Sequence, residues 1–284
     1  MVRVRKEALD LRWVVGFAAV SLLLFTASAH AATFPVTNTN DAGNGSLRAA
    51  ITAANAAPSP PHVVDATGVS GTINLQTGLP PLAEDVEVRG PGPAALTVRR
   101  GAGVMNSFRI FAVEPDVVAQ ISGVTIARGT VGGMSAAGGA GIDNNARTMT
   151  LRDGVVTANV NTAGSAGANG GGIVNRSLTP ASPGTMTISN STVSGNLAQN
   201  GNGAGIYNAN NSSLTVLRST VSGNVSQGNS GCVGGGGIAN AASLVVRNST
   251  VSGNTARAAG GILGCSAAAS STSIVTARSP RTAT

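Results

Sequence analysis

The sequence STVSGN stands at residues 191–196, recurs letter for letter at 219–224, and recurs again at 249–254. Its copies start 28 and then 30 residues apart. The hexapeptide holds one aliphatic residue and no charge. That is little chemistry for a site used three times, but enough for a corner turned three times. Apolar residues keep fixed places around each copy. Val193, Val221 and Val251 stand three residues before Asn196, Asn224 and Asn254. Met186, Leu214 and Leu244 stand seven residues before those valines, and Ile188, Val216 and Val246 follow them by two. Residues 149–159 repeat the plan through Met149, Leu151, Val156 and Asn159, and residues 119–129 repeat it more faintly through Ala119, Ile121 and Ile126. Self-similarity at a period above 20 residues fixes the architecture before any local structure is assigned.

A second motif alternates with the first: AGIDN at 140–144, GGIVN at 171–175, AGIYN at 204–208, GGIAN at 236–240 and GGIL at 260–263. Its glycines before isoleucine, at 141, 172, 205, 237 and 261, are 31, 33, 32 and 24 residues apart. Apolar residues two apart, as in Leu214-x-Val216, mark strands with one buried face. Each strand is predicted to be about three residues long, with Gly, Asn and Ser forming the turns. No helix-period pattern fills the gaps, so βαβ units are excluded. Short strands at this period describe the coils of a parallel β-solenoid, in which each coil buries its inward side chains only by stacking on its neighbours. The isoleucines and the valines then form two internal columns. The glycine of STVSGN gives the backbone freedom at a bend. Asn159, Asn196, Asn224 and Asn254 are predicted to bond backbone and one another as a structural Asn ladder.

Composition agrees. The chain is 42% hydrophobic and 10% charged, which argues against disorder, and it is rich in small residues. Residues 1–31 have the layout of a signal peptide: Arg3, Arg5, Lys6 and Arg12, an apolar run from Trp13 to Phe25, and Ala29-His30-Ala31 as the cleavage site. Without them, no transmembrane segment is expected, and secretion to the extracellular space or the cell surface is. The remaining 14 arginines against nine acids leave a net charge of +5. The arginines are scattered and aromatics are few, a pattern that gives no nucleic-acid partner. Residues 32–62 read as an N-terminal strand and a capping helix. Ser46 is its N-cap, Leu47, Ala50, Ile51 and Ala54 are its buried face, and Pro58, Pro60 and Pro61 are its stop. Residues 63–277 read as the β-helix and 278–284 as a disordered tail. The Gly/Ala/Asn-rich stretches 160–170, 197–204 and 225–236 are predicted to emerge as loops on one side. Cys232 and Cys265 fall on neighbouring coils, six residues before Ile238 and three after Ile262. A bridge needs Cα atoms within about 7 Å, so these offsets leave the disulfide open.

The segment FPVTNTNDAGNGSLRAAITAANA (34–56) resembles the N-terminal segment of secreted bacterial proteins with a CSLREA-type motif. Ser46, Leu47, Arg48 and Ala50 match it, while Gly45 and Ala49 replace its Cys and Glu. The GGI and VSGN units are similar to repeats of right-handed parallel β-helix proteins, including polymorphic outer-membrane proteins. The resemblance implies an all-β, pectin-lyase-like solenoid with a short N-terminal capping α-helix.

Lyases of that fold would require clustered carboxylates for Ca²⁺, which takes six to eight oxygens. Beyond residue 117 the only acids are Asp143 and Asp153, at unrelated repeat positions. Glu84, Asp85 and Glu87, like Glu114 and Asp116, read as solvated turns. His62 falls in a proline-rich linker without an identifiable partner. Thr185-x-Thr187 is not repeated as such in later coils, which argues against an ice-facing Thr-x-Thr ladder. Neither catalytic residues, metal ligands nor a cofactor are predicted. The expectation is a non-enzymatic, adhesive or structural protein with a glycan or protein ligand at a surface. A polysaccharide-active, lyase-like β-helix is the alternative.

Overall fold

A computed structural model describes residues 31–133, 138–163, 169–177, 183–228, 235–264 and 271–275. The chain winds as a right-handed parallel β-helix. One coil shows the path. Ile173–Asn175 lies in a six-stranded sheet, Gly184–Ser189 in a nine-stranded sheet, Thr192–Ser194 in a seven-stranded sheet and Leu197–Ala198 in a four-stranded sheet. Ile206–Asn208 then starts the next coil beside Ile173–Asn175, with Ile206 opposite Ile173. Neighbouring strands in all four sheets are parallel and in register.

The register makes side-chain columns. Phe111, Ile142, Ile173, Ile206, Ile238 and Ile262 stack in the six-stranded sheet. Ile73, Val98, Ile126, Val156, Val193, Val221 and Val251 stack in the seven-stranded sheet. All are buried except Val251 and Ile262, the last described residue of each column, which are partly buried. Each fully buried aliphatic side chain contributes about 1.5–3 kcal/mol of transfer free energy. A core of small residues thus gains its stability through repetition.

The helix spans Leu47–Ala56. Ser46 caps it, accepting from the Ala49 N–H at 3.1 Å. Leu47, Ala50, Ile51 and Ala54 are its buried face, packed over Thr33–Pro35 and His62–Asp65. Arg48 fastens its outer side, donating to Asp41 at 2.7 Å and to the Thr77 carbonyl at 2.8 Å.

Three local expectations need correction. Strands of the nine-stranded sheet reach six residues, as in Gly184–Ser189 and Ser212–Leu217, because the inward–outward alternation runs on through the glycine and serines at their ends. The loop stretches open with two-residue strands, Val160–Asn161, Leu197–Ala198 and Val225–Ser226, which with Thr130–Val131 form the fourth sheet. His62 is not in a linker. It opens the strand His62–Asp65, is buried, and meets Phe34 edge-on at 5.6 Å between ring centroids. The tail at 278–284, the signal segment 1–30, and both Cys232 and Cys265 lie outside the described residues.

Candidate functional site

The polar residues sort into ladders that hold the coils, a charged groove, a buried carboxylate and an outward hydroxyl array. STVSGN runs from one ladder to another. Its first serine makes a corner: the Gly154 N–H donates to Ser191 Oγ, that of Ser191 to Ser219 Oγ, and that of Ser219 to Ser249 Oγ, each at 3.1 Å. Its glycine turns the chain with positive φ, +63° at Gly195 and Gly223 and +62° at Gly253, where a Cβ is strained. Its asparagine makes the next corner. Asn159 Nδ2 donates to Asn196 Oδ1 at 3.0 Å, Asn196 to Asn224 at 2.9 Å and Asn224 to Asn254 at 2.8 Å. The second N–H of Asn196 reaches the Val156 carbonyl at 3.0 Å, and its Oδ1 also accepts from the Asn159 backbone at 3.1 Å. Both donors and both acceptor sites of that amide are filled, so it has nothing left for a ligand.

A second ladder escaped sequence reading. Asn144 donates to Asn175 at 2.8 Å, Asn175 to Asn208 and Asn208 to Asn240 at 2.7 Å each, all buried. The signal was present: the asparagine closes all four complete AGIDN-type motifs.

The charged groove lies on the outward face of the nine-stranded sheet. Glu87 sits there on the strand Val86–Arg89, not on a turn. Its carboxylate takes Arg89 at 2.6 Å and Arg152 at 3.2 Å, and Gln120 also donates to it. The hydrogen bond from Arg89 is the largest cause that holds the Glu87 carboxyl below its ordinary range, aided by Arg152 and Gln120 and opposed by partial burial. Asp85 accepts from the Val118 N–H at 2.7 Å. A cavity of about 450 Å³ crosses these strands, lined by Val63, Asp85, Glu87, Val118, Gln120 and Thr150 among others. Among the described residues no group of three His, Cys, Asp or Glu side chains could hold a metal ion.

Asp143 occupies an outward position of Ile142–Asn144 yet is fully buried. Gly138 lies against it so closely that a Cβ there would come within 2.6 Å of Oδ2. Arg109 pairs with Oδ2, and Arg176, from the following coil, reaches the same oxygen at 2.8 Å. Oδ1 has no hydrogen-bond partner among the described residues. Burial pushes the Asp143 carboxyl up, against the pull of both arginines. Asp153 pairs with Arg152 at 3.1 Å, remote from Asp143 in the coil. The two acids are not brought together.

The hydroxyl array is the outward face of the seven-stranded sheet. Thr72, Thr97, Thr125, Val155, Thr192, Thr220 and Thr250 form one column. Thr157, Ser194, Ser222 and Ser252 form a second beside it. No described helix is long and apolar enough to cross a membrane. Comparison with known proteins found that no family model, no curated protein and no solved structure matches this chain.

Proposed function

We propose that this chain is a non-enzymatic secreted or cell-surface β-helix with an adhesive or structural role, related to the CSLREA-type and polymorphic outer-membrane proteins that it resembles. The observation that carries this reading is the direction of its polar chemistry. The repeated amides are spent on one another inside the corners. Asp143 is sealed beneath Gly138 and clamped by two arginines, where it cannot reach a substrate. What recurs outward is a rigid surface of uncharged hydroxyls. A rod of this kind suits the holding of a surface ligand, glycan or protein, more than bond cleavage.

The groove at Glu87 favours one second reading, a polysaccharide-active enzyme, because it places a carboxylate between two arginines in a 450 Å³ cavity. An acid held below its ordinary range by two guanidiniums is a poor proton acceptor, which sets this reading second. Fractionation of producing cells with tagged protein should place it outside the cytoplasm. The purified chain should leave pectin, pectate and alginate intact with and without Ca²⁺. Turnover that survives repurification and disappears in Glu87→Gln would reverse the order of the two readings.

A further inference from the structure

The ladders account for the first serine, the valine, the glycine and the asparagine of STVSGN. They do not account for its threonine or its second serine. Thr192, Ser194, Thr220, Ser222, Thr250 and Ser252 point outward, and their hydroxyls make no hydrogen bond in the described structure. Strand propensity explains threonine at such a position but not serine. Some outward hydroxyls elsewhere are engaged, Thr185 donating to the Arg147 carbonyl at 3.1 Å and Thr125 to that of Pro93 at 2.7 Å. Thr150, Thr187 and Thr215 on the nine-stranded sheet are as free as the six, but in a pattern that breaks to Ser213 and then Val245.

The six hydroxyls form a lattice. Parallel in-register strands set one repeat at about 4.8 Å, and two residues along a strand set the other at about 6.6 Å. The Ser191–Ser219–Ser249 ladder fixes one margin and the Asn196–Asn224–Asn254 ladder the other. Threonine χ1 is stiff, so the threonine column of the lattice is ordered before anything binds. Its outward positions from Val155 to Ser252 carry no charge, and the nearest charged one is Arg99, two coils before Val155. An uncharged face wants an uncharged occupant. No aromatic ring stands among these positions to stack on a sugar. What matches is a neutral solid made of hydroxyl-type donors and acceptors, periodic in two directions. Each side-chain hydroxyl offers one donor and two acceptor sites and can replace one water in such a network. The threonine methyls shed their loosely held water, and the ordering cost is met in advance by the fold.

We propose that the Thr-x-Ser face of the seven-stranded sheet binds ice, whose oxygen rows repeat in two directions at similar spacings. The match lies on a different face from Thr185-x-Thr187 and uses serine in the second column. The inference rests on the adhesive reading and names its partner. The test uses the mature chain, measuring its partition into a slowly growing ice hemisphere and its shaping of single ice crystals. Wild type should enter the ice and facet the crystals. Thr220→Tyr, which places a ring in the middle of the lattice, should abolish both while leaving the melting temperature unchanged. Thr187→Tyr, on the neighbouring face, should do neither. Exclusion of folded wild type from ice, or ice entry that Thr220→Tyr leaves intact, overturns the proposal. If folded wild type is excluded from ice but binds insoluble cellulose or chitin, ice is the wrong partner and the adhesive reading stands. If it binds none of these surfaces, the ice proposal and the adhesive role both fall, and the structural role is left.

Discussion

The first coils and the later coils are built alike and held differently. From His62 to Ala127 the coils carry the helix cap and the cluster around Glu87, with neither asparagine ladder beginning before Asn144. Val113 occupies the six-stranded-sheet position that Asn144, Asn175, Asn208 and Asn240 fill later. From Ile142 onward the corners close on saturated amides and serines. The difference shows two ways for a solenoid to hold register. Where the motif varies, a cap and two long-range ion pairs, Glu87 with Arg152 and Arg109 with Asp143, add to the strand pairing. Where the motif is exact, each corner repeats the same buried bonds. These differ in energetic weight, since part-exposed ion pairs are screened and buried amides left unpaired are costly.

The largest expected effect is therefore in the later coils. Asn196→Ala removes the side-chain partner of the Val156 carbonyl and of the Asn159 N–H, and takes one bond each from the Asn159 and Asn224 amides, all in a buried corner. We expect a loss of about 3–5 kcal/mol, read as a fall in urea midpoint at unchanged slope. A loss below about 1 kcal/mol would mean that water replaces the ladder, and the contrast between the two regions would collapse.

The next test compares the middle of the later coils with their end. Ile206 is fully buried, whereas Ile262 and Val251 are partly exposed. Ile206→Ala should cost about 3 kcal/mol and Ile262→Ala about 1 kcal/mol. Amide exchange should be faster around Ile262 than around Ile206. Equal protection at both places would mean that something covers the end of the stack.

What the sequence made legible follows from where each partner sits. The helix, its cap and its buried face could be read because their determinants lie within ten residues. The inward columns could be read because the repeat brings the same residue type to one place every 24–37 positions. The serine ladder and the Asn144–Asn240 ladder were written in the repeats, yet nothing local marks a side chain as inward at a corner. The partners of Glu87 and Asp143 could not be read. Arg152 lies 65 residues from Glu87, and Arg109 and Arg176 lie 34 and 33 from Asp143. Coils of unequal length hide such a register until strands are paired. His62 was misread because three nearby prolines suggested a linker, although a strand begins directly after them.

Smaller effects are expected in the first coils. Glu87→Gln removes the two ion pairs but leaves an acceptor for Arg89 and Arg152. It should cost about 1 kcal/mol or less at low salt and less again at high salt. The Glu87 carboxyl is held below its ordinary range, so its contribution is present above the unfolded value near pH 4.3. It is lost as pH falls through the folded value. A salt-independent cost of several kcal/mol would show Glu87 to be as structural as the ladders.

Asp143 should behave in the opposite sense, although it too pairs with two arginines. Its carboxyl is pushed up by burial, so the folded chain holds the proton more tightly than the unfolded chain. Its contribution is then fully present below the unfolded value near pH 3.9 and is lost as pH rises through the folded value. Above that range the raised carboxyl weighs against folding, because desolvation outweighs both guanidiniums. Asp143→Asn removes that penalty and keeps an acceptor at the same place. Arg109 and Arg176 are partly exposed, and Arg176 keeps Asn145 at 2.8 Å, so neither becomes a stranded buried charge. The variant should lie within about 1 kcal/mol of wild type at pH 7, on the more stable side. The difference should vanish as pH falls and Asp143 becomes protonated in wild type. Thermal melting of both proteins from pH 3 to pH 8 measures this directly. A variant clearly less stable at pH 7, with the gap closing in acid, would mean that the arginines win. The clamp between coils would then be a stabilising device of the same kind as the Glu87 cluster.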